Sequence, residues 1–281
     1  MYKWVKMNKL STDKRAQIVA ALVEGNSIRS TVRMTGASKN TIAKLLVEIG
    51  AACSTYLDEH LVNLSCKRVQ VDEIWSFCYA KAKNVTPEIA AKNPFAGDVW
   101  TWVAIDADTK LIPSWIVGPR DGVTARMFVN DLAGRLANRI QLTSDGLSVY
   151  LQAVERAFRG QVDYAQLVKI YGETSEGQKR YSPAECIGCE SKAVTGDPDP
   201  RHISTSFIER QNLTMRMSMR RFTRLTNGFS KKIENHVANV ALHCMYYNFC
   251  RIHQTLRVTP AMEAGISNHV WSIQEVIALM D

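Results

Sequence analysis

The chain has 281 residues, enough for one large core and a small accessory domain. Apolar residues make up 46% of it, and no stretch approaches eighteen consecutive apolar residues, which excludes membrane-spanning helices and indicates a soluble globular protein. Lys and Arg outnumber Asp and Glu 35 to 27, a net charge of +8 that favours a polyanionic partner.

Met1 to Leu10 carries Lys3, Lys6 and Lys9 but no apolar run or cleavage site, so no secretory signal is expected there. Three short helices are predicted over residues 12–49. The first runs from Thr12 to Glu24 with Ile18, Val19, Leu22 and Val23 on one face, and Gly25-Asn26 stops it. Ser27 caps the second, which ends at Gly36, and Ser38 caps the third. In the third, Ile42, Leu45, Leu46 and Ile49 fall at i, i+3, i+4 and i+7. Its other face offers Lys39, Asn40, Thr41 and Lys44. A small-residue turn, a cap and a basic helix start make helix–turn–helix grammar, and these four side chains are the candidate contacts to a DNA major groove.

Residues 51–66 carry no strong signal and read as a linker, either a linking helix or a loop. Strands are predicted over Arg68–Tyr79, Val99–Ile105 and Leu111–Val117, the last two joined by a turn at Asp106–Lys110. A helix capped by Thr124 comes next, carrying Phe128, Leu132 and Leu136. After it are predicted a strand closing on Asp145, a helix over Val149–Phe158 and a strand over Val162–Tyr171. Residues 172–201 read as a long loop or insertion. Two helices are expected at about 203–222 and 230–250, with a short one near Ile273–Leu279. This alternation predicts a mixed α/β sheet. The catalytic-type domain spans 67–260, and 261–281 form a helical tail.

Asp72 sits inside an apolar strand, Asp145 ends another, and Glu209 begins a basic helical segment. A carboxylate in an apolar strand is costly unless something positive lies against it. Three of them in a basic chain point to bound divalent metal acting on nucleic acid. On the helix of Glu209, Ile208, Met215, Met219 and Phe222 form an apolar core stripe, while Glu209, Asn212 and Arg216 form a polar one at i, i+3 and i+7. Arg216, Arg220 and Arg221, with Asn212, are the candidate phosphate-binding groups. Two Mg²⁺ ions roughly 3.5–4 Å apart stabilise the attacking and leaving oxygens of an in-line phosphodiester displacement, and Mn²⁺ can replace them.

Other groups take ordinary readings. Strand alternation sends Glu73 to the face opposite Asp72. Asp106 and Asp108 read as turn residues, His202 as a loop histidine, and His253 as structural. Seven scattered cysteines suit reduced thiols in a cytoplasmic protein, and Cys186-x-x-Cys189 lacks the second histidine that a zinc finger needs. Gly172-x4-Gly177 mimics a phosphate loop, but Gln178-Lys179 breaks the required order.

Five segments together carry a family resemblance: Val71-Asp-Glu-Ile-Trp75, Ile105-Asp-Ala-Asp-Thr109, Thr143-Ser-Asp-Gly146, His202-Ile-Ser-Thr-Ser-Phe-Ile-Glu-Arg-Gln-Asn212 and Tyr247-Asn-Phe-Cys-Arg-Ile-His253. In that order they resemble DDE transposases of bacterial insertion sequences, most nearly the insertion sequence one family, over nearly the whole chain. The resemblance implies a ribonuclease-H-like α/β fold with an N-terminal all-α helix–turn–helix domain at 1–50. It implies catalytic, metal-holding Asp72, Asp145 and Glu209, with Arg216 as the basic residue seven positions on. It also implies double-stranded DNA as partner (element ends and target), cleavage and strand transfer as activity, and homo-oligomers on DNA. Some relatives carry a cysteine-rich zinc finger before the helix–turn–helix, and this chain has none. Two other readings compete. One is a helix–turn–helix regulator without catalysis, which leaves the three acids as coincidences. The other is a tyrosine recombinase using Tyr246 or Tyr247, which lacks the His-x-x-Arg placement.

Overall fold

The computed structural model describes residues 10–172, 185–223 and 226–281. All but Leu10 of the Met1–Leu10 stretch, where no secretory signal is expected, and most of Gly172-x4-Gly177 lie outside these residues. In chain order, helices α1 (Thr12–Val23), α2 (Ile28–Thr35) and α3 (Lys39–His60) precede strand β1 (Arg68–Cys78). A short helix α4 (Pro87–Lys92) leads to β2 (Gly97–Asp106) and β3 (Trp115–Gly118). Then come α5 (Gly122–Arg135), β4 (Gln141–Ser144), α6 (Val149–Phe158), β5 (Asp163–Tyr171) and β6 (Cys186–Thr195). The chain ends with α7 (Ser206–Ser218), α8 (Ile233–Met245), α9 (Pro260–Glu263) and α10 (Ile273–Ala278). None of the described helices is long and apolar enough to cross a membrane.

Two compact units divide the chain. The sheet unit takes Leu61–Ser76 and Asp98–Leu213. Its strands run in the order β3-β2-β1-β4-β5-β6. β2 and β3 pair antiparallel, β4 pairs parallel with both β1 and β5, and β6 closes the edge antiparallel to β5. Contacts of Ala107 N to Arg68 O and Ser76 Oγ to Val99 O show β1 and β2 to run in opposite directions. This is a mixed α/β sheet flanked by helices, ribonuclease-H-like in arrangement.

The strands form where β-branched and aromatic residues cluster, and the core arises from their inner faces. Val69, Val71 and Ile74 of β1, Trp102 and Val103 of β2, Leu142 of β4 and Tyr164 of β5 are buried. Helices α5 and α6 pack together and bury Phe128, Leu132, Tyr150 and Val154. Trp102 meets Phe128 at 6.1 Å and the edge of Tyr150 at 5.5 Å between ring centres.

Three local readings differ from expectation. Asp121, not Thr124, caps α5, accepting the N–H groups of Val123 and Thr124, because a carboxylate two or three residues upstream reaches the free N–H groups of the first turn. The third strand is shorter than Leu111–Val117 and starts at Trp115, after Pro113. The expected loop at 172–201 contains β6, which pairs along nearly the whole of β5.

The other unit takes the chain up to His60, Phe77–Gly97 and Thr214–Asp281. Ser11, Ser27 and Ser38 accept the N–H groups of Lys14, Ser30 and Thr41, so all three N-terminal helices start on a serine cap. Gly36 ends α2 at φ 70°, a left-handed position that suits glycine. α3 does not stop at Gly50 but continues to His60. A methyl group at Gly50 would come within 2.5 Å of Ala238 on α8, so this glycine is a crossing point between two helices rather than a helix end. Ile18, Leu46, Ile49, Cys53 and Met245 fill the core around that crossing.

Candidate functional site

The parallel pairing of β1 and β4 decides which acids meet. Gln70 lies opposite Thr143 in that ladder, so two residues further on Asp72, inside β1, comes level with Asp145, just past the carboxyl end of β4. Carboxylate oxygens of Asp72, Asp145 and Glu73 all lie within 4.8 Å of one another. The meeting of the two aspartates agrees with the expectation. The inclusion of Glu73 does not.

Glu73 was expected on the opposite face of the strand. Alternation governs where Cβ points, not where a carboxylate finishes. Asp72 Oδ1 accepts the backbone N–H of Glu73 at 2.8 Å, which turns its carboxylate back along the strand. Glu73 has the longer side chain and is buried. Its Oε1 accepts from Arg120 Nε at 2.7 Å, and its Oε2 from the Tyr150 hydroxyl at 3.1 Å. Arg120 in turn lies over the Trp100 ring at 4.8 Å. Neither Arg120 nor Tyr150 carried a sequence signal; only tertiary packing brings them to β1.

Asp145 leaves β4 and immediately accepts the Leu147 N–H at 3.0 Å, closing the Asp-Gly turn before α6. Burial first, and then the charge of Glu73, push the Asp72 carboxyl up from its ordinary value to about 7, with Asp145 and Glu209 adding to the effect. Burial also raises Glu73 and holds the Tyr150 hydroxyl well above its usual range. Carboxylates gathered under partial burial repel one another unless a cation joins them.

Glu209 approaches along α7. One turn later on that helix, Asn212 is buried and its Nδ2 donates to Asp72 Oδ2 at 2.8 Å. Glu209 itself is not in the tight cluster: its Oε1 pairs with Lys169 Nζ at 2.6 Å and accepts from the Thr205 hydroxyl. Lys169 is a partner that the sequence did not single out. Burial lowers the lysine's basicity, but the bond and charge of Glu209 outweigh it, and its pKa is raised.

The chemistry of the donors fits a hard divalent cation. Hard cations take carboxylate oxygens, and three are gathered within reach of one ion. Asn212 Oδ1, buried beside Asp72, has no protein donor, an acceptor that water of a hydrated ion would satisfy.

The candidate DNA-binding residues divide. Lys39, Asn40 and Lys44 are exposed on the first turns of α3, and Thr41 is half-exposed. Arg220 is exposed in the turn after α7, and Arg216 is half-buried on α7. Arg221 is held internally, donating to Asn239 Oδ1 at 3.0 Å and Ser230 Oγ at 2.9 Å, and Asn212 is bonded to Asp72. Neither presents a free fork or amide to a phosphate; both hold other groups in place.

The residues given ordinary readings behave so. Asp106 accepts from Thr109 within its turn, Asp108 pairs with Arg68, and His202 Nδ1 lies 2.8 Å from Arg68. Cys186 and Cys189 are exposed with sulfurs 3.9 Å apart. Tyr246 donates to Glu24 and Tyr247 is buried, and burial pushes both hydroxyls away from ionisation, against their use as nucleophiles.

No protein-family model matches the chain, and no curated protein matches it. Among solved structures, it is similar to a piggyBac transposase synaptic complex with hairpin DNA at TM-score 0.44 and 8% identity, over 99% of this chain and 73% of that one. It is also similar to a Mos1 transposase paired-end complex with left transposon end, at TM-score 0.23 and 12% identity, over 58% of this chain and 61% of that one. The Mos1 strand transfer complex gives TM-score 0.24 at 12% identity, over 87% and 80%. Likenesses this weak carry no argument of their own, and the chemistry of the site rests on the residues above.

Proposed function

We propose that this chain is a DNA transposase of the DDE type, allied to the bacterial insertion sequence one family, that cleaves element ends and joins them to target DNA. The observation that carries the reading is the convergence of Asp72, inside β1, and Asp145, just past the end of β4, with the Glu209 helix bonded to Asp72. The ordered motifs of the sequence support it. The N-terminal helix–turn–helix, with Lys39, Asn40, Thr41 and Lys44, is its end-binding domain.

Asp72, Asp145 and Glu209 would hold two Mg²⁺ ions, which supply Lewis-acid stabilisation to the attacking and leaving oxygens. The chain's own groups set up that site. Asn212 orients Asp72, and Arg120 and Tyr150 pin Glu73 so that this part of β1 keeps its shape. Lys169 keeps Glu209 beside the cluster. Water, and then a DNA 3′-hydroxyl, attacks a phosphodiester phosphorus in line and expels one bridging oxygen, so no protein–DNA covalent intermediate forms. Two ends held together require more than one copy of the chain on DNA.

Replacing Asp145 by Asn tests the reading. Mg²⁺-dependent cleavage of labelled element ends should fall by more than about a thousand-fold. Binding of the same DNA at fixed salt should remain within a few-fold. Undiminished cleavage would sink the enzymatic assignment. Binding without any cleavage by the native chain would favour the helix–turn–helix regulator.

A further inference from the structure

The helix–turn–helix residues do not face open solvent alone. A groove of about 1220 Å³ runs between them and the segment C-terminal to α7. One wall carries Arg29, Lys39 and Lys44 from α2 and α3, and the facing wall carries Arg220, Lys231 and Lys232. All six side chains are exposed. The acids of the groove, Glu48 and Glu234, are each paired with a lysine of their own wall, Lys44 at 3.7 Å and Lys232 at 3.5 Å. No described acid on either wall pairs with the other wall's cations.

The second wall is built to hold its position. Ser230 bridges in parallel to Cys78, and its carbonyl accepts the Tyr79 N–H at 2.8 Å. Beneath the two lysines, Arg221 donates to Ser230 and Asn239, and Ser230 meets His236 Nδ1 at 3.0 Å. Lys231 rests 4.5 Å from the centre of the Phe229 ring, which itself packs on Phe77. A fixed scaffold with exposed ammonium tips suits a ligand of repeating charge and variable sequence.

We propose that this groove is a phosphate clamp. With α3 in a major groove, one flanking DNA backbone passes between the two walls, and Lys231, Lys232 and Arg29 neutralise its phosphates. Phosphate contacts of this kind set register and affinity without reading bases. End binding is then a joint property of the N-terminal helices α1–α3 and of the segment 227–239. The proposal rests on the DNA-binding reading above, and it assigns to the C-terminal segment a role in that binding.

The test uses the full chain and a labelled mixed-sequence duplex about three helical turns long, on the order of 30 base pairs. Affinity is measured across a salt series for the native chain, Lys231→Gln/Lys232→Gln and Arg29→Gln, with thermal unfolding as the control for folding. Each lost phosphate contact removes about 0.9 from the slope of log affinity against log salt. The double variant should therefore lose roughly two from the slope, and Arg29→Gln roughly one. Lys231→Arg/Lys232→Arg should restore the native slope. An unchanged slope in a folded double variant, or tighter binding to a single strand than to the duplex, overturns the clamp while leaving the proposed function intact. A native chain that binds the duplex without salt dependence instead defeats the DNA-binding reading itself.

Discussion

The acid cluster of the sheet unit and the basic groove of the helical unit show opposite ways of storing charge. In the cluster, Asp72, Glu73 and Asp145 are gathered under partial burial, and the Asp72 carboxyl is pushed up to about 7 as a result. In the groove the cations stand in water, and the groups under them are neutral or already paired: burial drives His236 down to about 3, so it carries no charge at neutral pH. Buried like charge is unstable until a small, dense counter-ion arrives. Exposed like charge costs little and waits for an extended polyanion. By the proposals above, one region takes a metal and the other a backbone of phosphates.

The contrast breaks most visibly at Asp72. Asp72→Asn should lower cleavage by more than about a thousand-fold, as removal of a metal-holding carboxylate does. The same substitution should stabilise the metal-free protein near pH 8 by roughly 1–2 kcal/mol, discounted for the part of the side chain that water reaches. The sign comes from the direction of the shift. A carboxyl raised to about 7 in the fold stabilises it fully below its ordinary value near 3.8, and that contribution is lost as pH rises through 7. Melting temperatures of native and substituted protein from pH 4 to 8 should diverge across this window, and saturating Mg²⁺ should close the gap. Parallel curves would mean that Asp72 is not strained by its neighbours.

Glu73 sharpens the contrast at a smaller scale. Glu73→Gln keeps one acceptor oxygen, enough for Arg120 or Tyr150 but not both, and removes one charge from the cluster. Cleavage should fall about ten-fold, less than for Asp72, because Glu73 supports β1 through bonds that glutamine can partly replace. The pH at which the metal-free protein loses stability should move down, since Asp72 would have one repelling neighbour fewer. A midpoint that stays in place would remove Glu73 from the cluster.

The smallest effect belongs to the groove. Glu234 pairs with Lys232 at 3.5 Å with both side chains more than half exposed. Glu234→Gln should change unfolding free energy by less than about 0.5 kcal/mol, as exposed pairs contribute little. Duplex affinity at low salt should rise by a few-fold, because Lys232 is released to phosphate. A clear loss of stability would show that exposed charge in this unit is structural after all.

Much of the local architecture was legible from spacing alone. Val149–Phe158 is the helix expected there, β1 and β5 run within a residue of their predicted ends, and Asp106–Lys110 forms the turn at the end of β2. The stripe of Ile208, Met215, Met219 and Phe222 is buried as its period implied. The features that failed had no periodic signature. β6 lies at the sheet edge with most residues exposed, so no alternation of burial marks it. The extension of α3 past Ile49 carried no strong signal, and the close approach of Gly50 to Ala238 is visible only in the packed helices.

Residue types and order alone were enough to nominate Asp72, Asp145 and a helix bearing Glu209, because a carboxylate in an apolar strand is visible without coordinates. Periodicity is a property of neighbours along the chain, so the sequence also settled which faces would be buried. It left undecided where side-chain ends meet. The β1–β4 register brought the aspartates level, a backbone hydrogen bond turned Asp72 toward Glu73, and the approach of α7 gave Glu209 to Lys169 and Asn212 to Asp72. Those outcomes depend on strand order and helix approach, set by packing across the whole sheet unit, and no local window contains them.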